Sequence, residues 1–171
     1  KKGYKVTLIS GPVAILPPKG VKVIHVLTAL EMQKAVYSVI SPDVCLIMAA
    51  AVSDFRVKKA VKTKKKKGSG LVLRLVENPD IIGSLKTVKL RAKIGFALES
   101  KDLERYAAKK LNQKGLDMVI GNVINSKNRP FGKGKKDFIF LIKGQKPIYY
   151  KNKDKRYISA ALLDTLKKIV L

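Results

Sequence analysis

Cysteine and histidine are almost absent: Cys45 and His25 are the single examples of each in 171 residues. One thiol cannot close a disulfide within the chain, and one thiol with one imidazole cannot build a metal cluster. Cys45 lies in an apolar run, where an inert buried thiol in a reducing, cytoplasmic compartment is expected. His25 sits in Val21-Lys22-Val23-Ile24-His25-Val26, which reads as a strand rather than a catalytic setting. Nor is there an apolar run near the roughly 20 residues that cross a bilayer, or a signal peptide. An intact G-x-G-x-x-G, a P-loop and a His–Cys–Ser set for nucleophilic catalysis are missing as well. Covalent catalysis, a membrane span and a visible dinucleotide fingerprint are thereby set aside.

Acidic residues are scarce too. Asp and Glu total 12 against 37 Lys and Arg, a net charge of +25. Such a balance calls for an anionic partner or a very soluble basic surface. Nucleic acid, a membrane face and a phosphorylated small molecule all qualify. The excess is mostly lysine, which a thermophilic or AT-biased source also produces. Hydrophobic residues make up 46% of the chain, so it is globular, and its length suits one domain over residues 1–171 with a core of its own.

What is present is an alternation of strand and helix signals. Lys1-Lys2-Gly3 reads as a helix end with an αL glycine, and residues 4–10 as a strand closed by Gly11-Pro12. A helix end with no helix before it predicts a missing upstream segment. A second strand covers 21–26. Thr28-Ala29-Leu30-Glu31 is a capping box that opens a helix to about residue 40, which Ser41-Pro42 ends. Residues 43–51, Asp43-Val44-Cys45-Leu46-Ile47-Met48-Ala49-Ala50-Ala51, form an unbroken apolar run, the pattern of a parallel strand buried on both faces. Ser53-Asp54-Phe55 follows, then a lysine-dense loop over 56–70, then a strand over 71–76. Asn78 and Pro79 fit the N-cap and first position of a short helix.

The later elements are a strand over 92–99, a helix over 102–113 stopped by Lys114-Gly115, and a parallel strand over 117–122. Residues 125–136 form a second long loop. Strands 137–142 and 147–150 flank Lys143-Gly144-Gln145-Lys146 as a hairpin, and a helix covers 155–170. Strand–helix–strand units in series predict an α/β fold: a Rossmann-like parallel sheet, helices on both faces, and an antiparallel hairpin extension near the C-terminus.

Candidate chemistry gathers where the apolar strand ends, since open α/β sheets bind ligands beyond their strands' carboxyl ends. Small residues there admit a flat ligand, Asp54 offers a charged acceptor, and Lys62-Thr63-Lys64-Lys65-Lys66-Lys67 can meet phosphates. Lys110 and Lys114 stand four apart on one helix and repel unless an anion lies between them. On pattern alone they read first as a solvated surface pair. The lysine run is then a solvated loop, Asp54 a helix cap and Phe96 a core residue.

Taken in order and spacing, the motifs resemble a known family. They are Val6-Thr7-Leu8-Ile9-Ser10-Gly11-Pro12-Val13, Thr28-Ala29-Leu30-Glu31-Met32, Ala50-Ala51-Val52-Ser53-Asp54-Phe55-Arg56, Lys64-Lys65-Lys66-Lys67, Asn78-Pro79-Asp80-Ile81, Gly95-Phe96-Ala97-Leu98-Glu99 and Gly121-Asn122. The pattern is similar to that of phosphopantothenoylcysteine synthetase, the coenzyme A pathway ligase usually fused in bacteria behind a flavin-dependent decarboxylase. The resemblance implies CTP as co-substrate with Mg²⁺, 4′-phosphopantothenate and cysteine as reactants, and a homodimer. The loop 125–136 resembles the flap that crosses to the other subunit in the family's dimers. It also implies that Met48, Ala49, Ala50 and Asp54 line the nucleotide pocket, with Pro79, Asp80, Ile81 and Ile82 along base or ribose and Phe96 beside it. Lys64 becomes the catalytic mobile-loop lysine, and Lys110 and Lys114 reach the triphosphate. The family's Gly-rich turn and its Asn-containing loop ahead of the first matching strand are not present, so the expectation is a truncated fragment, either inactive alone or completed by a front segment from another chain. Ser53, Leu98 and Val123 depart from the family pattern.

Two other functions compete with a ligase. A nucleic-acid-binding domain would exploit the charge, but no helix-turn-helix or RNP-type aromatic pair is seen, and lysine outweighs the arginine that reads base edges. A Rossmann-like NAD(P)-dependent reductase lacks its glycine fingerprint.

Overall fold

The computed structural model describes residues 3–59, 68, 72–99, 101–123 and 134–170. The lysine run 62–67, with Lys64, and most of the loop 125–136 lie outside the described residues. The described chain falls into two compact units, one built from residues 1–39 and 51–80, the other from 40–50 and 81–171.

In the first unit, β1 (Thr7–Ser10) pairs in parallel with β2 (Lys22–His25), which places His25 on a strand as expected. Helix α1 (Ala29–Tyr37) follows, and its start is the predicted capping box. Thr28 Oγ1 accepts from the Glu31 amide at 3.1 Å, while the Glu31 carboxylate accepts from the Leu27 amide at 2.7 Å. Glu31 thus reaches one residue further back than the simplest box, and two otherwise orphaned donors are satisfied. Met32, Ala35 and Val36, spaced to share one helix face, are its buried residues.

The unit's remaining strands correct the sequence reading. Residues from 56 are not simply loop, because β4 (Phe55–Val57) pairs antiparallel with β5 (Leu75–Glu77). The strand expected over 71–76 is therefore shorter and displaced toward its C-terminal end. Nor does Asn78 cap a helix. Its side-chain amide donates instead to the Ser53 carbonyl at 2.8 Å and to Ser53 Oγ at 3.3 Å. Arg56 donates to the Glu77 carbonyl and, at 3.4 Å, to Asn78 Oδ1. Turn-forming Asn is as ready to bond a neighbouring backbone as to cap a helix, and here the neighbour is the base of the β4–β5 pair.

The second unit holds a five-stranded sheet in the order β3-β6-β7-β8-β9. Its strands are β3 (Cys45–Met48), β6 (Ala92–Glu99), β7 (Met118–Val123), β8 (Lys136–Ile142) and β9 (Ile148–Lys153). Strands β3, β6 and β7 are parallel, while β8 and β9 add the predicted antiparallel hairpin. Helix α2 (Leu103–Gln113) packs on one face through Ala107 and Leu111, joined by Ile82, Ala97, Leu116, Val119, Ile139 and Leu141. Helix α3 (Lys155–Val170) covers the other face, where Ile158, Leu162 and Leu166 meet Ile94, Met118, Ile120, Phe140 and Ile142. Alternation along β6 and β7 feeds both clusters, as a sheet covered on two sides requires. The fold is the expected mixed α/β, Rossmann-like arrangement.

Strand β3 departs from expectation. Its run predicts burial on both faces, yet Cys45 is exposed and Ile47 is 42% exposed. Leu46 and Met48 pack against the α2 cluster, but Cys45 and Ile47, level with Ala92 and Ile94, lie at the sheet's outer strand beyond the α3 cluster. The expected buried thiol is thus a partly covered, solvent-reached one. Among the described residues no helix is long and apolar enough to cross a membrane.

Candidate functional site

The α2 face of β6 carries Lys93, Gly95 and Ala97 in alternation. Gly95 is a place of close approach. A Cβ added there would stand 2.8 Å from Leu116 Cδ1 and 3.9 Å from both Ile82 Cδ1 and Lys110 Cε. A glycine inside an apolar strand often marks such an approach, and here it brings Ile82 and Lys110 together over the strand. Met48, the last residue of β3, is level with Gly95 on the neighbouring strand. Lys110, half-buried on α2, donates from Nζ to the Phe96 carbonyl. An ammonium is thereby held at a strand's backbone in the carboxyl half of the parallel sheet, where this class of fold takes ligands.

Four expected site residues thus gather at one place: Met48, Ile82, Lys110 and, through its carbonyl, Phe96. The Phe96 ring points to the other face and packs against the α3 cluster, because successive side chains of a strand alternate. Lys114, half-buried, is the C-cap of α2, and its amide donates to the Lys110 carbonyl at 3.1 Å. Ile81 is 3% exposed, next to Ile82 at 5%. Ala49 and Ala50 follow β3 and are exposed.

In the other unit, Asp54, Pro79 and Asp80 form a second group. The Asn78 amide donates to the Asp54 carbonyl at 2.7 Å, which sets Asp54 beside the Asn78-Pro79-Asp80 turn. Asp54 and Asp80 are exposed, and Pro79 is half-buried. Lys64 lies outside the described residues.

Three features escape the sequence reading. Lys93 is buried within an apolar strand, Gly95 leaves room where Ile82 and Lys110 meet, and the Ser53–Arg56–Asn78 clasp ties the β4–β5 pair. The first two had a signal, an ammonium and a glycine inside a run that is otherwise buried strand. The clasp had none, since its partners are 25 residues apart in sequence.

A cleft of about 400 Å³ opens elsewhere in the second unit, between the β8–β9 hairpin and α3, lined among others by Tyr150, Tyr157 and Asp164. None of the expected site residues lines it. Its walls are hairpin and helix rather than strand ends, so fold and cleft point to different places. Among the described residues, no three His, Cys, Asp or Glu side chains gather as a metal site. They form no protein cage for Mg²⁺, an ion that commonly rides on substrate phosphates and water instead.

Comparison with known proteins agrees with this architecture. Residues 1–170 match the family described as DNA/pantothenate metabolism flavoprotein C-terminal domain. The chain is 40% identical over 129 residues to the coenzyme A biosynthesis bifunctional protein CoaBC of Haemophilus influenzae, covering 73% of this chain and 32% of that one. It is 36% identical over 137 residues to the protein of the same name from Escherichia coli K12, covering 77% and 34%. The chain therefore spans about a third of the length of these curated relatives. A crystal structure of the C-terminal domain of a CoaBC superposes with a TM-score of 0.77 at 27% identity, over 97% of this chain and 74% of that one. A DNA/pantothenate metabolism flavoprotein from Streptococcus pneumoniae shares the fold, with a TM-score of 0.72 at 21% identity over 98% and 80%. From matched residues, relatives and fold together, the chain belongs to the DNA/pantothenate metabolism flavoprotein C-terminal domain family.

Proposed function

We propose that the chain is the nucleotide-binding part of a phosphopantothenate–cysteine ligase of coenzyme A biosynthesis that uses CTP. One observation carries the reading: Met48, Ile82 and Lys110 meet at Gly95, with the Lys110 ammonium on the Phe96 carbonyl. It is supported by relatives that are coenzyme A biosynthesis bifunctional proteins, and by a solved Cab2 mutant in complex with phosphopantothenate-cysteine, which shares the fold at a TM-score of 0.60 and 18% identity.

The chemistry asks little covalent help of the protein. The carboxylate of 4′-phosphopantothenate attacks the α-phosphorus of CTP, forming an acyl-cytidylate and releasing pyrophosphate. The cysteine amine then attacks the acyl carbon, the amide forms, a proton leaves the amine, and CMP departs. Both steps need charge neutralisation and alignment more than a nucleophilic side chain. Lys110 and Lys114 supply positive charge at one end of α2, and Lys64 supplies it from the lysine run. Ile81 and Ile82 give an apolar wall for base or ribose, while Met48, Ala49 and Ala50 present a strand end with little side-chain bulk. Asp54, Pro79 and Asp80, in the other unit, are the remaining expected nucleotide contacts. Mg²⁺ carried on the triphosphate would add to the charge neutralisation that Lys64, Lys110 and Lys114 provide. The reading includes a homodimer and a flavin-dependent decarboxylase, fused or associated.

The test is a calorimetric titration with CTP, ATP, NADPH and duplex DNA. Mg²⁺-dependent CTP binding, together with pyrophosphate release that requires 4′-phosphopantothenate, is expected. DNA binding that falls steeply with salt, with no nucleotide binding, overturns the reading in favour of a nucleic-acid module.

A further inference from the structure

Lys93 is 7% exposed on the α2 face of β6, between Ala92 and Ile94, both fully buried. Its ammonium donates to three backbone carbonyls, those of Leu85 at 3.1 Å, Lys86 at 2.9 Å and Val88 at 3.2 Å. An ammonium has three N–H donors and no acceptor, so this carbonyl cage saturates it. The carbonyls end and follow the 3₁₀ segment Gly83–Leu85, a helix C-terminus where a cation is favoured; that of Leu85 also accepts from the Val88 amide at 3.1 Å. Burying an ammonium is costly, and an apolar side chain of similar volume would serve the core at least as well. What Lys93 adds is a fixed position for the turn.

That turn holds two expected nucleotide contacts at its other end. Ser84 Oγ donates to the Ile81 carbonyl at 2.8 Å, and the Leu85 amide donates to the Ile82 carbonyl at 3.2 Å. The turn also presses on the end of α2. A Cβ added at Gly115, whose φ is +59°, would stand only 2.9 Å from Lys86 Cγ and 3.2 Å from the Lys86 carbonyl oxygen. The Lys93 backbone is anchored in turn, its amide donating to Asp117 Oδ2 at 2.7 Å and its carbonyl accepting from the Asp117 amide at 2.9 Å. One buried ammonium therefore links β6, the turn behind Ile81 and Ile82, and the helix end that carries Lys110 and Lys114.

We propose that Lys93 is a positioning residue for the nucleotide: by caging the carbonyls of Leu85, Lys86 and Val88 it sets Ile81 and Ile82 against Lys110. Lys93 touches no substrate, and its role rests on the nucleotide site proposed above. A displacement of the wall by an ångström is enough to matter, since such shifts cost up to about a hundredfold in rate or affinity.

The test is Lys93→Met in the full natural polypeptide that contains the chain, with Lys93→Gln as a milder variant should the first fail to fold. The KM for CTP is expected to rise about tenfold or more, with the KM for cysteine within about twofold of wild type. The Leu85, Lys86 and Val88 amides are expected to exchange with solvent faster. A control variant in the opposite cluster, Ile158→Val or Leu166→Ala, matched for loss of melting temperature, should leave the KM for CTP at the wild-type value. An unchanged KM for CTP in both Lys93 variants, or an equal rise in the matched control, reduces Lys93 to a structural staple and overturns the proposal. Wild-type protein that binds neither CTP nor ATP overturns the nucleotide reading itself, a result distinct from either of these.

Discussion

Two glycines on adjacent strands show how tightly side chains are set around the proposed site. At Gly95 an added methyl meets the end of Leu116, a side chain 1% exposed that has little room to swing. At Gly121 it meets Ile139 Cγ2 at 2.6 Å and both Leu103 methyls at 3.0 and 3.1 Å. Isoleucine is stiff at χ1, so Gly121 is the less forgiving position. Overpacking typically costs about 1–3 kcal/mol, and we expect Gly95→Ala near the lower end and Gly121→Ala near the upper. Urea unfolding of both variants checks this, and equal stability would contradict the packing described. Cys45 offers a second check. Burial pushes its thiol above the usual cysteine value, the Arg91 charge opposes the rise, and Asp117 adds to it. The folded state thus favours the neutral thiol. The stability this contributes is full below about pH 8.5, the unfolded cysteine value, and is lost as pH rises through the higher folded value. Although Cys45 is exposed, alkylation by iodoacetamide at pH 7.5 should run slower than for a free cysteine peptide; an equal or faster rate contradicts the direction.

At the scale of elements, legibility follows the strength of the local signal. Helix α3 over Lys155–Val170 and strand β6 over Ala92–Glu99 coincide with the boundaries read from periodicity, and the capping box fixes the start of α1. The hairpin of β8 and β9 is announced by Gly144, whose φ of +75° suits the turn. Strand β4 and its pairing with β5 are not legible, and β5 is legible only as the end of the strand expected over 71–76, because no short turn joins the two and their pairing is decided by side chains rather than by an alternating run. Asn78 is the instructive case. Asn before Pro reads as a helix cap, yet the tertiary partner Ser53 wins its side chain. We expect Asn78→Ala to cost about 1 kcal/mol and to speed exchange of the Lys58 amide, which donates to the Arg74 carbonyl at 2.9 Å beyond the clasp. Unchanged protection there would mean that β4 and β5 hold together without the clasp.

At the scale of the whole molecule, helices on both faces of a partly parallel sheet and the antiparallel hairpin at its end are legible, since strand–helix alternation leaves few topologies; the strand order, and the pairing of β1 with β2 in a sheet of their own, are not. The site is legible in part. Lys110 stands with its ammonium on the Phe96 carbonyl, but its spacing to Lys114 alone cannot separate a phosphate pair from a solvated one in a chain of charge +25. Ile82 gains its meaning only from Gly95, and the Phe96 ring turns away because alternation along β6 assigns it to the α3 side. The outward face of β3 is the reverse case: an apolar run promises burial, but burial needs a neighbour as well as a hydrophobic side chain.

The account stands most directly on the affinity for CTP of wild type against Lys110→Met, measured by calorimetry in the presence of Mg²⁺. Charge-assisted hydrogen bonds are worth about 1.5–3 kcal/mol, so the variant should bind CTP about tenfold or more weakly while keeping its fold. Equal CTP affinity in the two proteins would contradict the placement of the nucleotide at the carboxyl ends of β3 and β6.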